Sequence, residues 1–352
     1  MRDYRRLIQN IQTRINPENI ILEKAFSDEL SSISYSNILK YVRYAMKGVE
    51  PEYTQKSKLA GERVKNHLKE NLSDVVYKYQ GSVMTNTHIK GASDIDLLVI
   101  CDKFYTFDRK SINTVLTTEN LKSQLNYAQI QKLQGEINNS GYSGSALNDL
   151  KKNRTDSEET LNPIYDICDI SHPKAIKITN KSLNRDVDIV VANWYDSVTA
   201  ILKDKDSDFR GIQVYNKESN SKGDADYPFL SIKRVNNRST ETNGRLKKMI
   251  RFLKNIKVDS DLEIKLSSFD FNAICYNIET YKYSNKNFYE LVPVIYLQLK
   301  NLSENIEHSN NLKSVDDNEY IFRYDNSKLD SLKNLMAEID SILLDLKKAI
   351  AI

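Results

Sequence analysis

The chain has 352 residues, and its 51 lysines and arginines against 48 acids leave a formal net charge of +3. Hydrophobic residues make up 40% of it, with only 10 glycines and 6 prolines, which excludes a wholly disordered or collagen-like chain. The small net charge argues against a dedicated nucleic-acid-binding protein. A chain of this length predicts two structural units.

The sequence has no run of about 18 uncharged apolar residues, so we expect no transmembrane helix. Its N-terminal stretch, MRDYRRLIQNIQTRINPENI, is charged throughout and lacks the apolar centre of a secretory signal. The cytoplasm is therefore the expected location. The three cysteines, Cys101, Cys168 and Cys275, are far apart and lack the spacing of a zinc site.

The first half of the chain mixes helical and strand patterns. Apolar residues three and four apart predict helices over 34–49 and 56–72, and Pro51 between them marks a helix start or a turn. Branched residues at 93–100 predict a strand. The polar stretch that follows predicts two helical segments, near 117–137 and 145–161.

The second half changes from strands to helices. Strands are expected over 175–179 and 187–191, whereas the charged, Gly/Asn/Ser-rich residues 203–226 predict a surface excursion. From Gly244 onward the spacing is helical, and the predicted segments are 244–257, 271–280, 288–302 and 329–352. This order predicts an α+β fold, with a mixed core joined to a C-terminal helical bundle.

Two pairs of acids carry the strongest chemical signal. Asp94 and Asp96 lie in one strand pattern, and alternate side chains of a strand share a face. Carboxylates this close repel each other unless a cation joins them, and their oxygens suit Mg²⁺ or Mn²⁺. Asp186 and Asp188 lie in the same way on a later strand. If the two strands are neighbours, three acids converge as in two-metal phosphoryl transfer.

Gly81 and Ser82 precede the first acid pair. Glycine allows a close backbone approach to a ligand, and serine adds a hydroxyl beside a backbone N–H, so this dipeptide could bind a phosphate. Taken singly, Gly-Ser is most often a turn, and Asp-x-Asp is most often a solvated strand end. The combination is far less common by chance. His88 follows on the same segment, where we expect a mobile loop residue rather than a catalytic base.

The pattern Gly81-Ser82…Thr87…Gly91-x-Ser93-Asp94-x-Asp96, with Asp188 downstream, resembles the DNA polymerase β-type nucleotidyltransferase superfamily. Within it the chain is similar to the cGAS/DncV-like nucleotidyltransferases and to oligoadenylate synthetase, over roughly residues 55–300 in motif order. The resemblance implies a nucleotidyltransferase core with N-terminal helices at 1–235 and a helical domain at 236–352. It also implies a long N-terminal helix that bridges both.

The resemblance assigns metal binding and catalysis to Asp94, Asp96 and Asp188, with Asp186 as an alternative third acid. Asp188 is preferred because an apolar run begins directly after it, although the proline that often follows in the family is absent here. The implied cofactor is two Mg²⁺ ions, with Mn²⁺ as an alternative. Gly81, Ser82, Lys254 and Ser268 are the implied nucleotide-binding residues.

The assignments of Lys254 and Ser268 depend on the resemblance. A lysine and a helix start suit a triphosphate physically. Without the resemblance, Lys254 and the rest of the basic stretch 247–257 are better read as a solvated helix face, and Ser268 as an N-cap.

The implied activity is the joining of NTPs, with ATP expected among them, into a cyclic di- or trinucleotide second messenger. In bacteria, relatives act in anti-phage signalling, so an effector would be reached through the product. A nucleic-acid activator is not expected, because the chain has no Cys/His insertion and no long basic stripe. Two alternatives stay open: nucleotide transfer to tRNA, protein or a small molecule, and nucleotide binding without catalysis.

Overall fold

The computed structural model describes residues 2–15, 36–89 and 95–350. The chain divides into two compact units. The sheet unit comprises the described residues of Gln55–Gly81 and Asp94–Lys233, and the helical unit comprises those of Met1–Thr54, Ser82–Ser93 and Arg234–Ile352. The expected boundary between residues 235 and 236 stays a prediction.

A seven-stranded mixed sheet forms the centre of the sheet unit. Its strands are β1 (Val75–Gln80), β2 (Ile95–Phe107), β3 (Cys168–Asp169), β4 (Ile176–Asn180), β5 (Arg185–Asp196), β6 (Gly211–Asn216) and β7 (Ser221–Asp226). The order is β1-β2-β5-β4-β3, with β6 paired to β5 and β7 paired to β6. Strands β2 and β5 are parallel, and the other pairs are antiparallel.

Apolar pairing between β2 and β5 explains why this part of the sheet is buried. Leu98 lies opposite Val190, and Ile100 lies opposite Ala192. All four belong to one buried cluster that also contains Trp194. Even-numbered residues of both strands therefore share a face, and Asp96 and Asp188 continue that face toward the strand starts.

The helices of the sheet unit are α3 (Pro51–Asn71), α4 (Arg109–Thr117), α5 (Glu119–Lys122), α6 (Tyr127–Asn138), α7 (Ala146–Leu161) and α8 (Val198–Leu202). Helix α3 begins at Pro51, where proline suits the first turn. The unit boundary after Thr54 falls inside this helix, so its first turn belongs to the helical unit.

The helical unit contains α1 (Tyr4–Ile15), α2 (Asn37–Met46), α10 (Arg245–Asp259), α11 (Ser268–Tyr276), α12 (Leu291–Glu304), α13 (Ile306–Asn311), α14 (Asn326–Ile350) and a 3₁₀ turn at Thr280–Lys282. Helix α9 (Pro228–Glu241) crosses the unit boundary. One buried apolar cluster joins these helices, with Tyr41, Phe252, Ile295 and Leu335 among its members. The predicted α+β fold with a C-terminal helical bundle is therefore confirmed.

Two local predictions were wrong. Residues 203–226 are not only a surface excursion, because β6 and β7 form an antiparallel hairpin there. The helix expected at 117–137 is broken at residues 123–126, since Asn126 caps a new helix by accepting from the Gln129 N–H. Within the described residues, no helix is both long and apolar enough to span a bilayer.

Candidate active site

Asp96 and Asp188 lie side by side on one face of the sheet. They are register partners in the parallel pair β2–β5, with Gln80 of β1 on the other side of Asp96. Adjacent strands are about 4.8 Å apart, so the two carboxylates start from neighbouring backbone positions. Both residues are half-buried. The strand carrying the later acid thus does neighbour the strand carrying the earlier one, as the three-acid hypothesis requires.

A lysine provides a countercharge for this pair. Lys177 of β4 is the antiparallel partner of Asp188, and its Nζ lies 3.2 Å from Asp188 Oδ2. Two neighbouring carboxylates repel each other, so a cation at this position lowers the repulsion. Sequence reasoning missed Lys177, because its place beside Asp188 depends on the register between β4 and β5.

Asp94 lies outside the described residues. Asp186, the alternative third acid, shares a face with Asp188 but is exposed, and its Oδ1 accepts a 2.6 Å hydrogen bond from Thr179 Oγ1. The described part of β2 begins at Ile95, which pairs with Val187. The register therefore places Asp188, and not Asp186, beside Asp96.

Glycine is required at position 81, where the Asp96 carboxylate approaches the backbone. Its φ of +86° lies in the left-handed region, which glycine adopts without strain. A Cβ at this position would collide with Asp96 Oδ2. The Asp96 carboxylate therefore lies directly against the backbone that leads into Ser82.

Ser82 opens a tight turn of the helical unit. Its carbonyl accepts from the Thr87 N–H at 3.0 Å and from Thr85 Oγ1 at 3.2 Å, and the Thr85 and Thr87 hydroxyls are 2.8 Å apart. We call residues 82–87 the serine turn. Its internal hydrogen bonds hold the backbone around Ser82 in one conformation, as a phosphate-binding turn requires.

His88 does not match the expectation of a mobile loop residue. Its side chain is fully buried, Nε2 lies 3.0 Å from Thr54 Oγ1, and the ring stacks on Tyr53. His88 therefore anchors the end of the serine turn to the start of α3.

Lys254 differs most from its expectation as a solvated residue. It is only 5% exposed, and among the described residues its Nζ has no hydrogen-bond partner. Burial, followed by the charge of Arg251, lowers the pKa of Lys254 to about 7. A buried amine without a carboxylate partner is costly for folding and favours an anionic ligand.

Other cations of α10 reinforce this positive potential. Arg251, one helical turn before Lys254, is also buried, and burial lowers its pKa to about 10. Burial likewise lowers the pKa of Lys247 and of Lys248, with a further contribution from Arg251 in each case. No carboxylate forms an ion pair with these four side chains within residues 2–15, 36–89 and 95–350. The sequence shows this basic stretch but not its burial.

Ser268 is the first residue of α11 and is exposed. The N-cap is Ser267, whose side chain accepts from the Asp270 N–H while Asp270 accepts from the Ser267 N–H. Ser268 therefore has no capping task, and its hydroxyl stands at the positive end of a helix. The reading of Ser268 as the N-cap was wrong by one residue.

The acidic pair fits a divalent cation by its donor chemistry. Carboxylate oxygens are the ligands that Mg²⁺ and Mn²⁺ prefer, and Lys177 shows that the site already accommodates a positive charge. Among the described residues, no three His, Cys, Asp or Glu side chains come close enough to hold an ion. The predicted trio includes Asp94, so its third member lies outside that range.

Comparison with known proteins agrees with this geometry. Residues 62–143 match the nucleotidyltransferase domain, and residues 233–344 match the cGAS/DncV-like nucleotidyltransferase C-terminal helical domain. A c-di-GMP synthase of Capnocytophaga granulosa is 56% identical over 349 residues, covering 98% of each chain. The chain therefore belongs to the cGAS/DncV-like nucleotidyltransferases.

Further relatives carry related names. A c-di-GMP synthase of a Lachnospiraceae bacterium is 42% identical, covering 98% of this chain and 99% of the relative. The structure of a STING-associated CdnE c-di-GMP synthase from Flavobacteriaceae sp. superposes with a TM-score of 0.88 at 41% identity, covering 98% of this chain and 99% of that one. These similarities confirm the predicted enzyme class, a nucleotidyltransferase that makes a cyclic dinucleotide second messenger.

Proposed function

We propose that this chain joins two molecules of GTP into cyclic di-GMP. The observation that supports nucleotidyl transfer is the pairing of Asp96 with Asp188 in adjacent parallel strands, with Gly81 against Asp96. The guanine specificity is supported by the c-di-GMP synthase names of relatives at 56% and 42% identity. In this proposal GTP takes the place of the ATP expected from sequence.

The reaction consists of two nucleotidyl transfers. In the first, a ribose hydroxyl of one GTP attacks the α-phosphorus of the other; in the second, the free ribose hydroxyl of the linear intermediate attacks the α-phosphorus of its own 5′-triphosphate. Each transfer forms a phosphodiester bond and releases pyrophosphate. The second transfer closes the ring, so two GTP yield one cyclic di-GMP and two pyrophosphates. Both transfers make the same bond type at one site.

Asp96 and Asp188, with Asp94, would hold two Mg²⁺ ions. Bound there, such ions lower the pKa of the acceptor hydroxyl and stabilise the charge on the leaving pyrophosphate. Asp188 would also help to take up the acceptor proton. Asp96 fixes the position of the phosphate-binding backbone because it lies directly against Gly81.

Ser82, Lys254 and Ser268 would bind the triphosphate. The serine turn offers a hydroxyl and backbone N–H groups, and the start of α11 offers the positive end of a helix. Lys254 gains most from this ligand, because a triphosphate supplies the negative charge that its buried amine lacks. Release of pyrophosphate then returns Lys254 to the uncompensated state.

The product would act on an effector protein in a bacterial signalling system. The support is that the Flavobacteriaceae relative is a STING-associated synthase. Any sensor that recognises cyclic di-GMP could complete the pathway.

The direct test is incubation with each NTP singly and in pairs, with Mg²⁺ or Mn²⁺, followed by mass spectrometry of the products. We expect cyclic di-GMP from GTP alone and no product from the Asp96→Asn variant. A product that requires ATP would contradict the guanine assignment. Transfer only to an added tRNA, protein or small molecule, or no pyrophosphate release at all, would contradict cyclic dinucleotide synthesis.

A further inference from the structure

Arg251 connects three segments of the helical unit. It is 8% exposed, and it lies on α10 one turn before Lys254. Its Nε donates to the Met46 carbonyl at the end of α2, at 2.9 Å, and its Nη1 donates to the Asn86 carbonyl in the serine turn, at 2.8 Å. One guanidinium thus joins the turn of Ser82 to the helix of Lys254.

Both acceptors of Arg251 are neutral carbonyls. A buried guanidinium is normally paired with a carboxylate, and in a neutral setting it keeps an uncompensated charge. The fixed fork of the guanidinium also sets the angle between its two acceptors, which a flexible lysine cannot do. The Arg251 side chain can therefore fix the relative positions of its two acceptors and also make the local electrostatic potential more positive.

The carbonyl that Arg251 holds belongs to a residue with a left-handed backbone conformation. Asn86 has a φ of +52°, a left-handed conformation that asparagine adopts more readily than most other residues with a Cβ. The hydrogen bond from Arg251 helps to keep this conformation. The hydrogen bond from the adjacent Thr87 N–H to the Ser82 carbonyl then links the held segment to Ser82.

We propose that Arg251 is a positioning residue for the nucleotide's phosphates. It holds the serine turn in its binding conformation, and its charge prepares the neighbourhood of Lys254 for an anion. This inference rests on the proposed function, because it takes Ser82 and Lys254 to be phosphate-binding residues. Arg251 itself, with its donors on backbone carbonyls, need not touch the substrate.

Asn255 provides a matched control. It lies on the same helix, it is 2% exposed, and its Nδ2 donates to the Ala45 carbonyl at 3.0 Å and to the Arg251 carbonyl one turn earlier at 3.1 Å. Asn255→Ala therefore weakens the same α2–α10 contact without touching the serine turn. A purely structural role for Arg251 predicts that both substitutions act alike.

The experiment measures the Kd of a non-hydrolysable GTP analogue with Mg²⁺, the KM and kcat for GTP, and the melting temperature, for Arg251→Met, Arg251→Lys and Asn255→Ala in the full chain. We expect Arg251→Met to raise Kd and KM at least about tenfold, which is about 1.4 kcal/mol. Arg251→Lys should recover part of the affinity through its charge. Asn255→Ala should lower the melting temperature while leaving Kd within about twofold of the wild type.

A second readout follows from the charge. Arg251 is the charged group among the described residues that acts on Lys254, and its removal raises the pKa of Lys254. In wild type, analogue binding should weaken as pH rises above 7, and in Arg251→Met this weakening should move to higher pH. If Arg251→Met is too unstable to purify, Arg251→Lys supports the inference when its Kd rises and its melting temperature matches that of Asn255→Ala.

Three results would overturn the inference. Equal increases in Kd for Arg251→Met and Asn255→Ala at equal loss of stability would leave Arg251 with a structural role only. Unchanged binding in both Arg251 variants, with an active wild type, would overturn it while the proposed function stands. Failure of the wild-type chain to bind the analogue or to make product would overturn both.

Discussion

Like charges lie close together in two regions of the molecule: the pair Asp96 and Asp188 in the sheet unit, and the basic helix α10 in the helical unit. The two regions differ in how those charges are compensated. Asp96 and Asp188 are half-buried, and Lys177 partly compensates them. Lys254 and Arg251 are buried, and no carboxylate among the described residues pairs with either. The acids therefore depend on solvent and a partner charge, whereas we propose that a ligand outside the chain compensates the buried cations.

Substitution of the acidic pair, Asp96 and Asp188, should have the largest effect. Asp96→Asn and Asp188→Asn should each lower kcat by at least about 10³-fold, because each removes a charged ligand of the proposed metal site. Stability should change little, since the repulsion between two carboxylates is lost in both variants and the partly exposed ion pair with Lys177 that Asp188→Asn removes contributes only about 0–1 kcal/mol. Product formation and thermal melting check both statements.

Asp186→Asn is the matched control for that experiment. Asp186 shares the strand and the face of Asp188 but lies outside its register with Asp96, so activity should stay within about threefold of the wild type. A loss as large as that of Asp188→Asn would assign the third acid to Asp186.

Gly81→Ala should act on both stability and activity. The new Cβ meets a positive φ and the Asp96 carboxylate, so we expect a loss of about 1–3 kcal/mol in the free energy of unfolding and about a 10²-fold loss of activity. Gly244→Ala shares the strain, with a φ of +80°, but its Cβ would meet open space. It should lose stability alone, and chemical denaturation combined with product assays will show whether it does.

Lys254→Met should weaken function and strengthen the fold. The KM for GTP should rise at least about tenfold, because the point charge on the triphosphate is lost. The free energy of unfolding near pH 7 should increase by about 1–3 kcal/mol, because the variant no longer buries an unpaired amine. A variant that is both inactive and less stable would show that Lys254 has a structural partner.

The pH dependence follows from the lowered pKa of Lys254. Its pKa of about 7 in the folded chain lies below the usual value of about 10.4 in the unfolded chain. The unfolded state therefore binds more protons between these values, and the stability cost of Lys254 is full below pH 7 and declines above it. The melting-temperature advantage of Lys254→Met should shrink from pH 7 to pH 9. Over the same range, the KM of the wild type for GTP should rise by about three- to tenfold as Lys254 loses its charge.

Ser268→Ala should have the smallest effect. Its hydroxyl caps nothing, so the melting temperature should not change, and the KM for GTP should rise about two- to fivefold. Ser267→Ala removes the true N-cap and should lower stability by about 1 kcal/mol. Reversed results for the two serines would return Ser268 to a purely structural role.

The sequence predicted the acidic pair better than the burial of the basic helix α10, for a physical reason. Side-chain alternation in strands places residues two apart on one face, so the strand pattern alone identifies Asp186 and Asp188 as a pair. The register that puts Asp188 beside Asp96, and Lys177 beside Asp188, depends on pairing between distant segments. The register between these strands could not be predicted from the local sequence pattern.

The basic side was harder because helix burial depends on tertiary packing. The run from Lys247 to Lys257 looks amphipathic and solvated, yet Arg251 and Lys254 are buried in the folded chain. The hairpin of β6 and β7 was missed for a similar reason. Its second strand, Ser221–Asp226, has no apolar alternation and is held by pairing with β6.

The most direct test of the account is the position of Mn²⁺ in crystals grown with a non-hydrolysable GTP analogue, located by anomalous diffraction. We predict Mn²⁺ bound by both Asp96 and Asp188, with the Lys177 ammonium displaced from Asp188. Mn²⁺ bound elsewhere, or analogue bound while Asp188 keeps its ion pair with Lys177, would contradict it.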